Sequence, residues 1–322
     1  MGAASYPTEV LNLREPCQPC GLVPPGSKID HCPLSGIVNV HKPSGLTSHD
    51  VVERARRASG FRRVGHAGTL DPLAEGVLLV CFGQGTRVTR YLTEGRKVYR
   101  ASIHLGVATD TGDAEGQILS QVDIGEMTLE RIEEALASFR GSILQVPPLF
   151  SALKRKGVPL YRLARRGVKA ELPPRPVEIY RLEVIDWASP ILTLEVECSP
   201  GTYIRALARD LGERLECGGH ISSLVRLASG HFTLEGAVSL PEVEERFASG
   251  RWGEITHPID EALLRFEALL VDEEGAQMIR RGQGVTGGPL NGPLARAYSP
   301  EGKFLALLAF REGQWRPIKV FR

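Results

Sequence analysis

Between Val64 and Val80 the chain sets three glycines, one proline and one aspartate ahead of an unbroken apolar run. Few backbones satisfy all of these at once. Gly65, Gly68 and Gly76 allow positive φ or close approach of another chain, and Pro72 fixes φ and removes a donor directly after Asp71. The run from Val77 to Cys81 has the length and β-branched content of a buried strand. The loop must therefore be pinned against a sheet, and Asp71 with it. Local chemistry leaves two readings of that side chain open. It either closes an Asx-turn on its own backbone, or it is a carboxylate held still for chemistry.

Around this loop, short strands alternate with helices. Ile37 to Val40 reads as a strand, and Ser48-His49-Asp50 supplies a cap for a helix that runs to about Ser59 and stops at Gly60. Val98 to Leu105 alternates at period two, and Thr128 caps a helical pattern from Arg131 to Phe139 that Gly141 stops. Val177 to Ile185 and Ile191 to Cys198 form a strand pair, followed by a helix from Ile204 to Leu215. This mixed order predicts an α+β fold with a mixed, mainly antiparallel central sheet, not a doubly wound one. Pro147-Pro148 cannot lie inside a helix or a central strand, so they open an excursion over about 146–181. Past residue 262 come Leu269 to Val271, a short helix from Asp272 to Arg281, and strands at Leu294 to Tyr298, Phe304 to Phe310 and Pro317 to Phe321. The expected domains are 36–262 and a small β-rich unit at 263–322, preceded by a poorly ordered leader, 1–35.

The formal net charge of +1 hides an uneven distribution. The excursion holds Lys154, Arg155, Lys156, Arg162, Arg165, Arg166, Lys169, Arg175 and Arg181 against Glu171 and Glu178, and a second basic group spans Arg54 to Arg63. Taken alone, each run reads either as a solvated face or as a surface for a polyanion. With 42% hydrophobic and 24% charged residues over 322 positions, the composition is that of a soluble protein of about two domains. No apolar run reaches the roughly 18 residues needed to cross a bilayer, so the expected location is the cytoplasm, with no membrane partner. Six cysteines in so long a chain are no disulfide framework; Cys81 and Cys198 read as small buried hydrophobes. Cys17 and Cys20 have zinc-ligand spacing, but His31 and Cys32 are adjacent and close a tetrahedron poorly, so no metal is expected.

The loop, as Gly65-His66-Ala67-Gly68-Thr69-Leu70-Asp71-Pro72-Leu73-Ala74-Glu75-Gly76-Val77-Leu78, resembles the signature of the bacterial TruB family of tRNA pseudouridine synthases. Further blocks match in order: Lys42 to Ser48, Lys97-Val98-Tyr99, Leu105 to Asp113, Gln145 to Pro148, Ser151 to Lys154, and Cys198 to Arg205. Together they span about residues 36 to 232. The resemblance implies the pseudouridine synthase fold and an isomerase that flips a T-loop uridine out of its tRNA without a cofactor. It assigns the nucleophile to Asp71 and an ion pair with it to Arg205. Stacking on the uracil, and a possible proton transfer, fall to Tyr99. The base is held by Tyr203 and Leu224, and His66 stands beside the flipped nucleotide. The basic residues Lys154, Arg155, Arg162 and Arg165 are implied to contact RNA backbone, and residues 263–322 resemble a PUA domain, a small RNA-binding β-barrel. Phe150 stands where the family commonly has Tyr, and Val225 interrupts a Leu-Arg-Arg element ahead of Arg226; both departures bear on RNA affinity.

An enzyme of this kind works as a monomer with no obligate protein partner. Two rivals remain. One is a noncatalytic RNA-binding protein on the same fold, against which an intact Asp71, Tyr99 and Arg205 weigh. The other is a guide-RNA-dependent synthase of the dyskerin kind, against which the basic excursion and short C-terminal unit weigh.

Overall fold

The computed structural model describes residues 35–150 and 172–321, with the backbone of two short strands, Lys154–Arg155 and Val158–Pro159, between them. These residues divide into two compact units on either side of Ala262 and Leu263.

The first unit is built on one sheet. Its main strands are β1 (Gly36–Lys42), β2 (Val64–Ala67), β3 (Glu75–Phe82), β4 (Lys97–Leu105), β5 (Gly141–Gln145), β6 (Arg175–Ala188), β7 (Ile191–Cys198) and β8 (Gly219–Ser229). Across the sheet the order is β1, β3, β8, β4, β7, β6, β5, with β2 paired to β3. Every pair among these is antiparallel except β3 with β8, where Val225 and Arg226 lie beside Glu75 and Gly76 in parallel register. The expected α+β architecture with a mixed, mainly antiparallel sheet is what the chain forms. β3 is apolar because it is buried along almost its whole length. Cys81, Cys198 and Cys217 are buried free thiols.

Helices α1 (Ser48–Ser59), α2 (Leu129–Ala137), α3 (Ile204–Arg214) and α4 (Leu240–Ala248) cover the sheet with Val51, Val52, Ile132, Leu136, Leu207, Leu211 and Val243 in the common core. The start of α1 corrects the expectation. The cap is Thr47, not the Ser48-His49-Asp50 triplet: the Thr47 hydroxyl accepts from the Asp50 N–H, and the Asp50 carboxylate accepts from the Thr47 N–H at 2.8 Å, a capping box. Gly60 ends the helix with φ of 70°, in the left-handed region.

β8 had no forecast in the sequence. Its alternation is broken by register shifts between Ile221 and Ser223 and between Arg226 and Ala228, so no clean period of two survives. The strand nonetheless lies at the centre of the sheet and carries Leu224 and Arg226. The start of β4 is anchored by Lys97. Burial pushes its amine down to about 8, and it donates to the carbonyls of Thr93 and Gly95 at the end of a short helix, Thr89–Thr93. That anchor stands two residues before Tyr99.

The second unit holds a five-stranded sheet in the order Glu267–Leu270, Leu294–Tyr298, Phe304–Arg311, Gln314–Val320, Val285–Thr286. Its helix, Glu273–Arg280, is capped by Asp272, which accepts from the Gly275 N–H at 2.8 Å. The core gathers Ala276, Ile279, Leu308 and the fully buried Trp315, whose indole N–H donates to the Gly288 carbonyl at 3.0 Å. The last long strand begins at Gln314, ahead of the expected Pro317, because the Glu312-Gly313 turn lets the chain pair again at once. The β-rich, PUA-like character is as expected.

Ser48, freed from capping, is buried, and its hydroxyl both donates to the Leu70 carbonyl at 3.0 Å and accepts from the Leu70 N–H at 2.8 Å. Ser48→Ala would strand both backbone groups away from water, at a cost of about 1–3 kcal/mol. Urea unfolding with an unchanged m-value should show that loss. An unaltered midpoint would mean that water satisfies Leu70 in place of the serine.

Candidate active site

Asp71 stands in the tight turn between β2 and β3, where its carbonyl accepts from the Ala74 N–H at 3.1 Å. Among the described residues its carboxylate makes no hydrogen bond to its own backbone. It meets Arg205 instead, with Oδ2 at 2.9 Å from Nε. The contact is one of charge and not of alignment, because the Nε–H is not directed along it. The Asx-turn is thus not the arrangement the chain adopts.

The loop is gripped from below by the Lys42 to Ser48 segment. The amine of the fully buried Lys42 donates to the carbonyls of Pro43 at 2.8 Å and Pro72 at 3.2 Å. The Gly45 N–H also donates to Pro72 at 2.9 Å, and the Ser44 hydroxyl to Leu73 at 2.9 Å. Burial pushes the Lys42 amine down to about 8, with the Asp71 carboxylate opposing the fall. Pro72 matters here as an acceptor: it leaves a carbonyl free for two donors at once.

Arg205 lies in the first turn of α3, where its guanidinium is almost fully enclosed. It donates from Nη1 to the Thr111 carbonyl at 3.0 Å and from Nη2 to the Phe150 carbonyl at 2.8 Å. A second carboxylate, Asp113, stands 3.4 Å away, itself buried and bonded at 2.6 Å by the Thr111 hydroxyl. One buried cation therefore faces two carboxylates. Asp71 is surrounded by protein yet keeps 36% of its side chain exposed, so it remains open to solvent. Burial pushes its carboxyl above the usual range; Arg205 opposes the rise and Asp113 adds to it.

Tyr203 is fixed by its neighbour across the unit: the Gln145 side chain accepts from the Tyr203 N–H at 2.8 Å and donates to its carbonyl at 3.0 Å. Tyr99 packs against the core from β4, opposite Arg226 on β8. Burial raises its phenol, Arg226 opposes this, and the Asp71 charge also reaches it. His66, on β2, is lowered by burial and then by Arg226, so it is a neutral ring, and its buried Nδ1 has no partner among the described residues. Leu224 is buried beside Ala101.

Asp71 and Arg205 are thus in direct contact, and Tyr99 lies within electrostatic reach of Asp71. The side chains of Lys154, Arg155, Arg162 and Arg165, and the Cys17, Cys20, His31 and Cys32 group, lie outside the described residues. Sequence reasoning missed Asp113, Gln145, Lys42 and Ser48 as parts of the site. Each stood in a matched block, but no local pattern announces a partner so far away in the chain. Arg226, which follows Val225 in β8, is buried at 1% exposure.

Three family models match consecutive parts of the chain: the TruB family pseudouridylate synthase N-terminal domain over residues 56–204, the tRNA pseudouridylate synthase B C-terminal domain over 205–271, and the tRNA pseudouridine synthase II C-terminal domain over 266–322. Among solved structures, a Cbf5-Nop10-Gar1 complex superposes with a TM-score of 0.69 at 25% identity, covering 89% of this chain and 84% of that one. An H/ACA RNP bound to a substrate RNA containing 2′-deoxyuridine gives 0.69 at 22% identity, over 89% and 85%. Fold and matches define a pseudouridine synthase. Relatives that match most of the chain narrow the class. The tRNA pseudouridine synthase B of Dehalococcoides mccartyi is 41% identical over 89% of this chain and 97% of its own length. That of Gloeobacter violaceus is 44% identical over 89% and 99%, and that of Syntrophotalea carbinolica 46% over 78% and 81%. The chain belongs to the TruB family of pseudouridylate synthases.

The opposing influences on Asp71 can be separated. Its carboxyl should titrate above the ordinary value of about 3.9 in the free protein. In Asp113→Asn, one negative neighbour is removed and the Asp71 value should fall, as read by carboxyl carbon NMR. A rise in that variant would mean that Asp113 acts chiefly by holding Arg205 in place.

Proposed function

We propose that this chain converts uridine 55 in the T loop of tRNA to pseudouridine, acting alone, as a monomer, in the cytoplasm and without a cofactor. The observation that carries the reading is the 2.9 Å pair of a solvent-open Asp71 with an enclosed Arg205. Pseudouridine formation breaks the C1′–N1 bond, turns the uracil and joins C5 to C1′; a proton leaves C5 and one ends on N1. No electron is gained or lost. A carboxylate serves by adding to the sugar or the base and leaving again, and it must be ionised to do so. Arg205 supplies the charge that burial would otherwise deny it.

The remaining roles follow from placement. The Tyr99 ring offers a stacking face for the flipped base, and its phenol, kept protonated by burial, is suited to exchange a proton. Tyr203, held by Gln145, and the Leu224 backbone flank the base. The neutral His66 stands beside the flipped nucleotide. Residues 36–262 form the catalytic part and 263–322 an RNA-gripping part. Lys154, Arg155, Arg162 and Arg165 contact phosphates from the excursion. Action without a protein partner is supported by relatives over 89% of the chain, named tRNA pseudouridine synthase B, at over 40% identity, against 25% for the Cbf5 complex.

The decisive experiment is mass mapping of pseudouridine in an unmodified tRNA transcript incubated with the purified chain and EDTA. Product at the T-loop uridine is expected. Asp71→Asn should abolish it while tRNA affinity stays within a few fold. Binding without product in the unaltered protein would leave a noncatalytic RNA-binding protein. In single turnover, the rate should fall as pH drops through the raised Asp71 value, because the protonated carboxyl cannot add.

Tyr99→Phe should keep RNA affinity yet lose about two to four orders of magnitude in the chemical step, whereas Tyr99→Leu should also lose stacking worth about 1–3 kcal/mol. Tritium release from C5 in both variants at the unaltered rate would make Tyr99 a plain core residue. Charge reversal at Lys154, Arg155, Arg162 and Arg165 should weaken binding and flatten its salt dependence by about one log-log unit per lost contact. An unchanged slope would make the excursion a solvated face.

A further inference from the structure

Arg226 is among the largest fully buried side chains of the described residues, and it is charged. A guanidinium removed from water normally takes a carboxylate partner. Arg205 does so, but among the described residues Arg226 has no carboxylate within 4 Å. It is satisfied by main-chain oxygens. Nε donates to the Val77 carbonyl at 2.7 Å, Nη2 to Gly68 at 2.9 Å, and Nη1 reaches Thr69 at 3.5 Å.

Those acceptors are not scattered. Gly68 and Thr69 lie just before Asp71 and Val77 just after it, so one rigid fork joins both arms of the loop that presents the carboxylate. The backbone of Arg226 makes the same contact a second way. Gly76, at φ of 103°, lies beside it in the parallel register of β3 and β8, and a Cβ there would stand 2.3 Å from the Arg226 carbonyl oxygen. On its other side, β8 pairs Arg226 with Tyr99 of β4. The residue thus touches the nucleophile loop through its side chain and the stacking strand through its register.

We propose that Arg226 is a positioning residue of this site: its buried fork sets the Asp71 loop relative to the Tyr99 strand and leaves an uncompensated positive charge beneath both. The inference rests on Asp71 as nucleophile. The charge is also felt by His66, whose ring it helps to keep neutral together with burial.

Arg226→Lys keeps the charge and loses the fork, and Arg226→Met keeps the bulk and loses both. With saturating tRNA transcript, Arg226→Lys should unfold within a few degrees of the unaltered protein and bind RNA within about threefold. Its single-turnover rate should fall by about 100-fold, the scale of a displacement of about 1 Å in a reacting group. Hydrogen exchange should quicken over residues 68–77 and not elsewhere. Arg226→Met should in addition raise the His66 titration seen by NMR, since a positive neighbour has gone, while Arg226→Lys leaves it in place. A rate like that of the unaltered protein in Arg226→Lys overturns the proposal. So does a defect that vanishes at saturating RNA, or collapse of the whole fold in both variants, which makes the residue part of the general core. Asp71→Asn, run alongside, keeps the two readings apart: turnover there sinks the nucleophile, whereas a dead Asp71→Asn beside a fully active Arg226→Lys sinks only the role of Arg226.

Discussion

A single enclosed guanidinium, shared between two carboxylates, is the contact on which the site depends. Arg205 is buried against two carboxylates and two main-chain carbonyls, and its charge opposes the rise that burial imposes on Asp71. Asp113 completes the arrangement from a separate loop and leaves the trio with one net negative charge. Burial is what pushes Asp71 above the ordinary carboxylate range, with Arg205 opposing the rise and Asp113 adding to it.

The geometry that allows this comes from the one parallel contact among the main strands. β3 leaves the Asp71 loop and at once pairs with β8, a strand some 150 residues later in the chain, with Glu75 and Gly76 beside Val225 and Arg226. β8 also pairs with β4, so the loop and the strand that carries Tyr99 are held by the same element. α3 then runs across this region and delivers Arg205 from its first turn. The site is a meeting of a loop, a strand and a helix end, each fixed by a different set of partners, and a rigid scaffold beneath a functional loop is the usual arrangement for catalysis.

Buried cations recur around it. Lys42, Lys97, Arg205 and Arg226 are all nearly inaccessible to water, and all donate to main-chain carbonyls of loops or helix ends near the site. Irregular backbone cannot satisfy its own oxygens as a helix or sheet does, so a protein that needs a stiff, irregular loop must bring donors to it. Long basic side chains are suited to this because the stem packs in the core while the head reaches the carbonyls.

What the sequence determined by itself was local or carried by contiguous motifs. The glycines and Pro72 predicted a fixed loop, the Val77 to Cys81 run a buried strand, and the blocks around Asp71 and Arg205 the family. The strands at Ile37, Val98, Val177 and Ile191 and the helix after Thr128 followed from period and caps. Thr47 was missed as a cap because Ser48 is an equally good capping residue by type; only the fold decided that Ser48 would turn inward to Leu70. β8 was missed because two register shifts spoil its alternation, and a strand buried at the centre of a sheet is recognised by its neighbours and not by its pattern. The partners of the buried charges were likewise beyond reach. Arg226 looks like any basic residue in the chain, and Asp113 like any turn aspartate, until pairing across more than 90 residues shows which one lies under the loop and which one shares Arg205. Hydrophobic period is written in neighbouring residues, whereas the cost of burying a charge is settled only by what the whole fold brings beside it.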